Sequence, residues 1–192
     1  MGQMSSYEKA AERAAERAAF AEIWLKHSVS WWARRVLVID EGSDLVYVAN
    51  MFGDSISIVD LKALTSVEFS LGKQPELTER DQGELLFFNA KLSHDGWMSC
   101  NSCHTEGHTN GMVNDNFSDK SFGAPKRVFS LLGKAGTAPF AWNGQAKDLQ
   151  KQIHNSLRLT MQMDDEPTED QLDQIAVFVS SLKRPPSIDV AR

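Results

Sequence analysis

The run Cys100-Asn101-Ser102-Cys103-His104 constrains this chain more than any other stretch. Two thiols with two residues between them, and a histidine directly after the second, make the C-x-x-C-H pattern of covalent haem attachment. In that chemistry each sulfur bonds one haem vinyl group and the neighbouring imidazole ligates the iron. A group of that size occupies what would otherwise be the centre of a small domain, so helices are expected to wrap around it. Cys100 and Cys103 are the chain's two cysteines, and the pattern uses both. Other uses of the same thiols need different surroundings. A redox dithiol sits at a helix N-terminus after a strand in a βαβ unit, and no such order is readable here. A zinc site could draw on Cys100, Cys103, His104 and His108, but His104 abuts Cys103, which cramps a tetrahedral set.

Length and charge narrow the class further. The 192 residues suffice for one domain of ordinary size or two small ones. The formal charge of −6 argues against a nucleic-acid partner, and haem propionates would add to it. No apolar run approaches the roughly 18 residues of a transmembrane helix. The N-terminus carries Glu8, Glu12, Arg13, Glu16 and Arg17 where a signal peptide would need an apolar core. Haem attachment of this type normally takes place outside the cytoplasmic membrane, so a periplasmic or extracytoplasmic location is expected. The simplest reconciliation is a fragment, or a gene whose exporting start has been lost; a chain that never receives haem is the other.

Taken in order, the chain predicts three segments. Residues 1–34 form a helix and a joint: alanines dominate 5–26, Ser5 and Glu8 suit a capping box, and Trp31 and Trp32 follow. Residues 35–74 switch to a period of two. Strands are expected over Val36–Ile39, Leu45–Asn50, Ser55–Val59 and Thr65–Leu71, with turns at Glu41–Asp44, Phe52–Asp54 and Asp60–Lys62. Four short antiparallel strands make one propeller-like blade, and Tyr47-Val48-Ala49-Asn50 resembles the signature of YVTN-type β-propeller repeats. A lone blade leaves a face to cover, so it is expected to pack on the haem domain, to pair with another chain, or to be the remnant of a longer propeller whose further blades are missing. Residues 75–192 form the haem domain. Thr78 and Asp81 suit a capping box at the start of a helix that runs through Phe88. Gly83 inside that helix costs about 1 kcal/mol against Ala, which a close helix crossing would explain. The crossing partner is the helix Thr168–Lys183, with Phe178 facing Gly83 and Phe87, an arrangement that resembles class I cytochromes c. The expected fold is therefore mixed: a mainly α cytochrome c domain, preceded by an N-terminal helix and one four-stranded antiparallel blade.

The run from Gly83 through Ser93-His94-Asp95-Gly96-Trp97-Met98-Ser99-Cys100 is similar to the haem approach in the bacterial di-haem cytochrome c peroxidase and MauG-like superfamily. Gly123-Ala124-Pro125-Lys126-Arg127-Val128-Phe129 and Pro139-Phe140-Ala141-Trp142-Asn143-Gly144 extend the resemblance over roughly 75–186. It is closest to the version fused to YVTN blades. The resemblance implies haem c, iron ligation by His104, and a methionine from the loop before the last helix. Thr160-Met161 fits that pattern best; Met163, His108 and an open position are the alternatives. Arg127 suits a propionate, with Lys126 a weaker version of the same role. Trp97 and Trp142 are expected to wall the haem. Family peroxidases use two haems, whereas this chain carries one C-x-x-C-H. The expected function is therefore single-electron transfer by a mono-haem domain with a redox partner protein. Hydrogen peroxide reduction with a second haem, absent from this chain, is the alternative.

Overall fold

The computed structural model describes residues 34–40, 42–116, 119 and 121–185, without the side chains of residues 34–37. The helix expected over 5–26 and the Trp31–Trp32 joint lie outside the described residues. The chain divides into two compact units, Met1–Pro75 and Glu76–Arg192.

The first unit contains an antiparallel meander of β1 (Arg34–Asp40), β2 (Leu45–Asn50), β3 (Ser55–Asp60) and β4 (Thr65–Ser70), hydrogen-bonded in that order. Each connection ends on a residue in the left-handed region: Asp44 (φ 55°), Asp54 (φ 43°) and Leu64 (φ 55°). Asp40 and Asp60 start two of these turns by accepting backbone N–H groups, from Gly42 (3.1 Å) and from Lys62 and Ala63 (2.8 and 2.7 Å). The register aligns Val38, Tyr47, Ile58 and Val67 on one face. It aligns Val48, Ser57 and Glu68 on the other. The second face is the buried one. There Asn50 donates to Ser55 (3.0 Å) and Ser57 (2.8 Å), and Ser55 donates to Glu68. Val38, Val67 and Phe69 are more than half exposed.

The second unit is built on α1 (Glu79–Phe88) and the last helix, α4 (Glu169–Ser181). Between them lie the one-turn α2 (Cys100–Cys103), a two-strand ribbon of β5 (Val113–Asn114) with β6 (Lys126–Arg127), and α3 (Leu149–Asn155). Thr78 and Thr168 cap α1 and α4 through reciprocal capping boxes with Asp81 and Gln171. α4 stops at Ser181, two residues short of the expected Lys183, where Leu182 turns extended. α1 and α4 cross at Gly83. A β-carbon there would stand 1.9 Å from the carbonyl oxygen of Gln174 and 2.9 Å from Cβ of Phe178. The bare glycine lets Phe87 reach Phe178, with ring centroids 5.1 Å apart and both side chains buried. Ile175 and Val179 complete that core from α4.

Candidate haem-binding site

α2 presents both thiols from a single turn. Ser99 and Ser102 close its N-terminus as a capping box, and His104 N–H donates to Cys100 O at 2.9 Å. Gly107 follows with φ 73°, a turn that a β-carbon would push against the Leu182 side chain, 2.7 Å away. Cys100, Cys103, His104 and Met161 all line one cavity of about 430 Å³, within the range of small-molecule sites. Phe87, Leu157, Ile175 and Val179 supply part of its apolar wall.

The imidazole of His104 is held from behind. Its Nδ1 lies 2.8 Å from the carbonyl oxygen of Phe129. A carbonyl only accepts, so Nδ1 carries the proton and Nε2 keeps its lone pair, the tautomer a metal ligand requires. Burial holds the His104 pKa below its ordinary value, which keeps the ring neutral. Burial also pushes the Cys100 thiol up to about 12 and raises that of Cys103, which receives a hydrogen bond from Asn114 Nδ2 at 3.2 Å. Burial thus disfavours the thiolate form at both sulfurs.

Met161 arrives on an irregular segment. α3 does not pass directly into the loop before the last helix. It passes into a π-helical turn, Ser156–Thr160, with Met161 N–H bonding back to Ser156 O at 2.9 Å. Met161 is 2 % exposed, and its Sδ lies 3.9 Å from Cys100 Sγ. His94 N–H donates to Met161 O at 3.0 Å, and the His94 ring lies 2.8 Å from Asp164 Oδ1. Two thiols, an imidazole with a free nitrogen and a buried thioether, gathered on one largely apolar cavity, fit a covalently attached haem.

Arg127, Lys126 and Trp142 also line the cavity. Trp142 stacks on Phe129 with centroids 4.1 Å apart, and its indole N–H goes to Arg127 O at 3.1 Å rather than into the cavity. Trp97, expected as a wall, does not line the cavity and is 63 % exposed. The chain twists just before it, at Asp95 (φ 53°) and Gly96 (φ 66°), and Met98 takes a place on the wall instead. His108 and Met163 do not line the cavity. Sequence reasoning missed Phe129, whose carbonyl orients His104, and Asn114, which donates to Cys103. It also missed Gln152, which lines the cavity with its buried Oε1 unpartnered. A glutamine at helical spacing from Ser156 and Thr160 was the available signal.

This donor set fits a c-type haem protein. Residues 79–185, more than half the chain, match the family described as di-haem cytochrome c peroxidase. The chain belongs to that family, whose members bind c-type haem. It is 29 % identical over 113 residues to the cytochrome c551 peroxidase of Pseudomonas aeruginosa, covering 55 % of this chain and 32 % of that protein. It is 35 % identical over 72 residues to the cytochrome c551 peroxidase of Nitrosomonas europaea, covering 36 % of this chain and 21 % of that one. The chain thus spans a third or less of the length of these curated relatives. Hydrazine synthase of Kuenenia stuttgartiensis shares a partial likeness, with TM-score 0.49 and 23 % identity over 60 % of this chain and 40 % of that chain. Among the described residues, no helix is long and apolar enough to cross a membrane.

Proposed function

We propose that residues 75–192 hold one haem c through Cys100 and Cys103, that His104 and Met161 would be the residues to ligate its iron, and that the chain passes single electrons to a redox partner protein. The observation that carries this reading is Met161: a thioether buried on the same cavity as both thiols and His104. Bound there, the haem supplies reversible one-electron exchange at iron. The Phe129 carbonyl fixes the orientation of His104 and strengthens it as a donor. A thioether ligand beside the imidazole would favour the ferrous state more than a second imidazole would. Arg127, on the cavity wall, would offer its guanidinium to a propionate. Phe87, Leu157 and Ile175 keep that side of the cavity dry, which also raises the potential.

The same reading puts the protein in the periplasm or another extracytoplasmic space. It takes the β1–β4 meander as one blade of a YVTN-type propeller, completed by further blades or another chain. The test is a visible spectrum of protein exported through a c-type haem maturation system, taken oxidised and reduced, and repeated after denaturing extraction. Haem retained by the denatured polypeptide, together with the weak ferric charge-transfer band of a methionine–iron bond, is the expected result. No retained haem in exported, folded protein overturns attachment.

Peroxide reduction is the second reading. Membership of a di-haem family favours it. It needs a second haem that this chain does not carry. A high-spin ferric spectrum that changes on addition of hydrogen peroxide would select it over electron transfer.

A further inference from the structure

We propose that Arg158 is a positioning residue that clamps the loop carrying Met161 and so sets how easily an external ligand displaces the thioether. This rests on Met161 being the axial ligand. Arg158 sits inside the π turn and does not line the cavity. Its guanidinium instead gathers the chain that follows. Nη1 faces the carbonyl oxygens of Met163, Asp164 and Asp165, the latter two at 3.1 Å each. Nε lies 3.2 Å from Glu166 Oε2, and the other oxygen of Glu166 is 2.5 Å from His154 Nε2. One side chain therefore reaches four consecutive residues that begin two positions after Met161.

That segment needs holding. Gln162 adopts φ 55°, the left-handed region that side chains with a β-carbon disfavour. The chain reverses there, and the carbonyls beyond it point back toward the end of the helix. They are capped as the last carbonyls of a helix are by a nearby cation, but with a fork that reaches several at once. A lysine ammonium cannot spread over the same set while also engaging Glu166, so the geometry is specific to arginine. The other ties of the segment are spread out: Met161 N–H to Ser156 O and Met163 N–H to Leu157 O, both at 2.9 Å, His94 N–H to Met161 O at 3.0 Å, and the His94 ring to Asp164 Oδ1 at 2.8 Å. Loss of the guanidinium frees the segment just after Met161 while leaving the α1–α4 core untouched. The expected consequence is local: Met161 spends more time away from the cavity.

The experiment compares haem-loaded full chain as wild type, Arg158→Met, Arg158→Lys and Met161→Ala. Imidazole is titrated into each ferric protein while the methionine–iron band is followed, and the urea midpoint is measured alongside. Losing several charge-assisted hydrogen bonds predicts imidazole binding about tenfold tighter in Arg158→Met. Arg158→Lys should fall between Arg158→Met and wild type. An imidazole affinity equal to wild type in Arg158→Met, with only the urea midpoint lowered, overturns the proposal and leaves Arg158 as a plain cap. If Arg158→Met does not fold, Arg158→Lys decides by the same comparison. A wild type that lacks the band and binds imidazole as tightly as Met161→Ala signals instead that the ligand assignment has failed, and this proposal with it.

Discussion

Replacing Gly83 by alanine should weaken the haem unit, although alanine is the better helix former. At an open helical position the exchange favours the folded state by about 1 kcal/mol. Here the added carbon would lie 1.9 Å from Gln174 O and 2.6 Å from the carbonyl carbon, well inside the 3.0 Å that β-carbons keep from other atoms. Both obstacles are backbone, so no rotamer change relieves the overlap and α1 must back away from α4. Overpacking of this kind costs about 1–3 kcal/mol, and contact against backbone belongs at the upper end. The displacement also opens space around Phe87, Ile175 and Phe178, at about 24 cal/mol for each Å³ left unfilled. Against the gain in helix propensity, a net loss of about 2 kcal/mol or more is expected. The assay is urea unfolding of the haem-loaded chain by far-UV ellipticity, where the midpoint should fall with the slope unchanged. Gly136→Ala is the control. Nothing stands within 4 Å of its new carbon, so it should change stability by no more than about 0.5 kcal/mol. A Gly83→Ala protein as stable as wild type would refute the close approach of the two helices.

Thr168→Ala should cost about 1 kcal/mol by removing the oxygen that accepts Gln171 N–H at 3.2 Å, whereas Thr168→Ser should retain most of it; thermal melts compare the two. The hydrogen bond to Asp164, with the charges of Asp95 and Asp164, raises the His94 pKa above 6.5. Its contribution is therefore fully present below pH 6.5 and lost as pH rises through the elevated folded value; Asp164→Asn should flatten that part of the stability–pH curve. Met161→His should lower the reduction potential relative to wild type, because a second imidazole replaces a soft thioether; a redox titration reads the change.

How much of this was legible in the sequence depended on whether the cause was local. The C-x-x-C-H turn was readable because bond chemistry dictates its spacing. Gly83 was readable because a glycine within a helix demands a reason, and the aromatic residues Phe87 and Phe178 pointed to one. The four strands were readable from their alternation. Which face of the sheet is buried was not, because Asn50, Ser55 and Ser57 satisfy one another across strands, and that pairing exists only once the register is set. The exposure of Trp97 was not legible, because the positive φ of Asp95 and Gly96 just before it is not displayed by composition. The π turn before Met161 was invisible for a related reason. Its sequence, Ser156-Leu157-Arg158-Leu159-Thr160, would serve an α-helix equally well. Gln152 and Phe129 went unnoticed because one acts through a buried oxygen and the other through its backbone.

The π turn also sets what kinds of change this site can absorb. A π turn holds one more residue than the α-helical turn it replaces, so its length rather than its composition decides where Met161 emerges. If Ser156–Thr160 tightened into an α-helix with no residue removed, everything downstream would swing by about 100° around the helix axis. Met161 would then leave the cavity, though its own codon was untouched. Substitutions at exposed positions such as Leu159 would leave that register intact. For variants of this protein, a one-residue deletion between 156 and 160 can therefore be absorbed as an ordinary α-helical turn, whereas an insertion there should displace Met161.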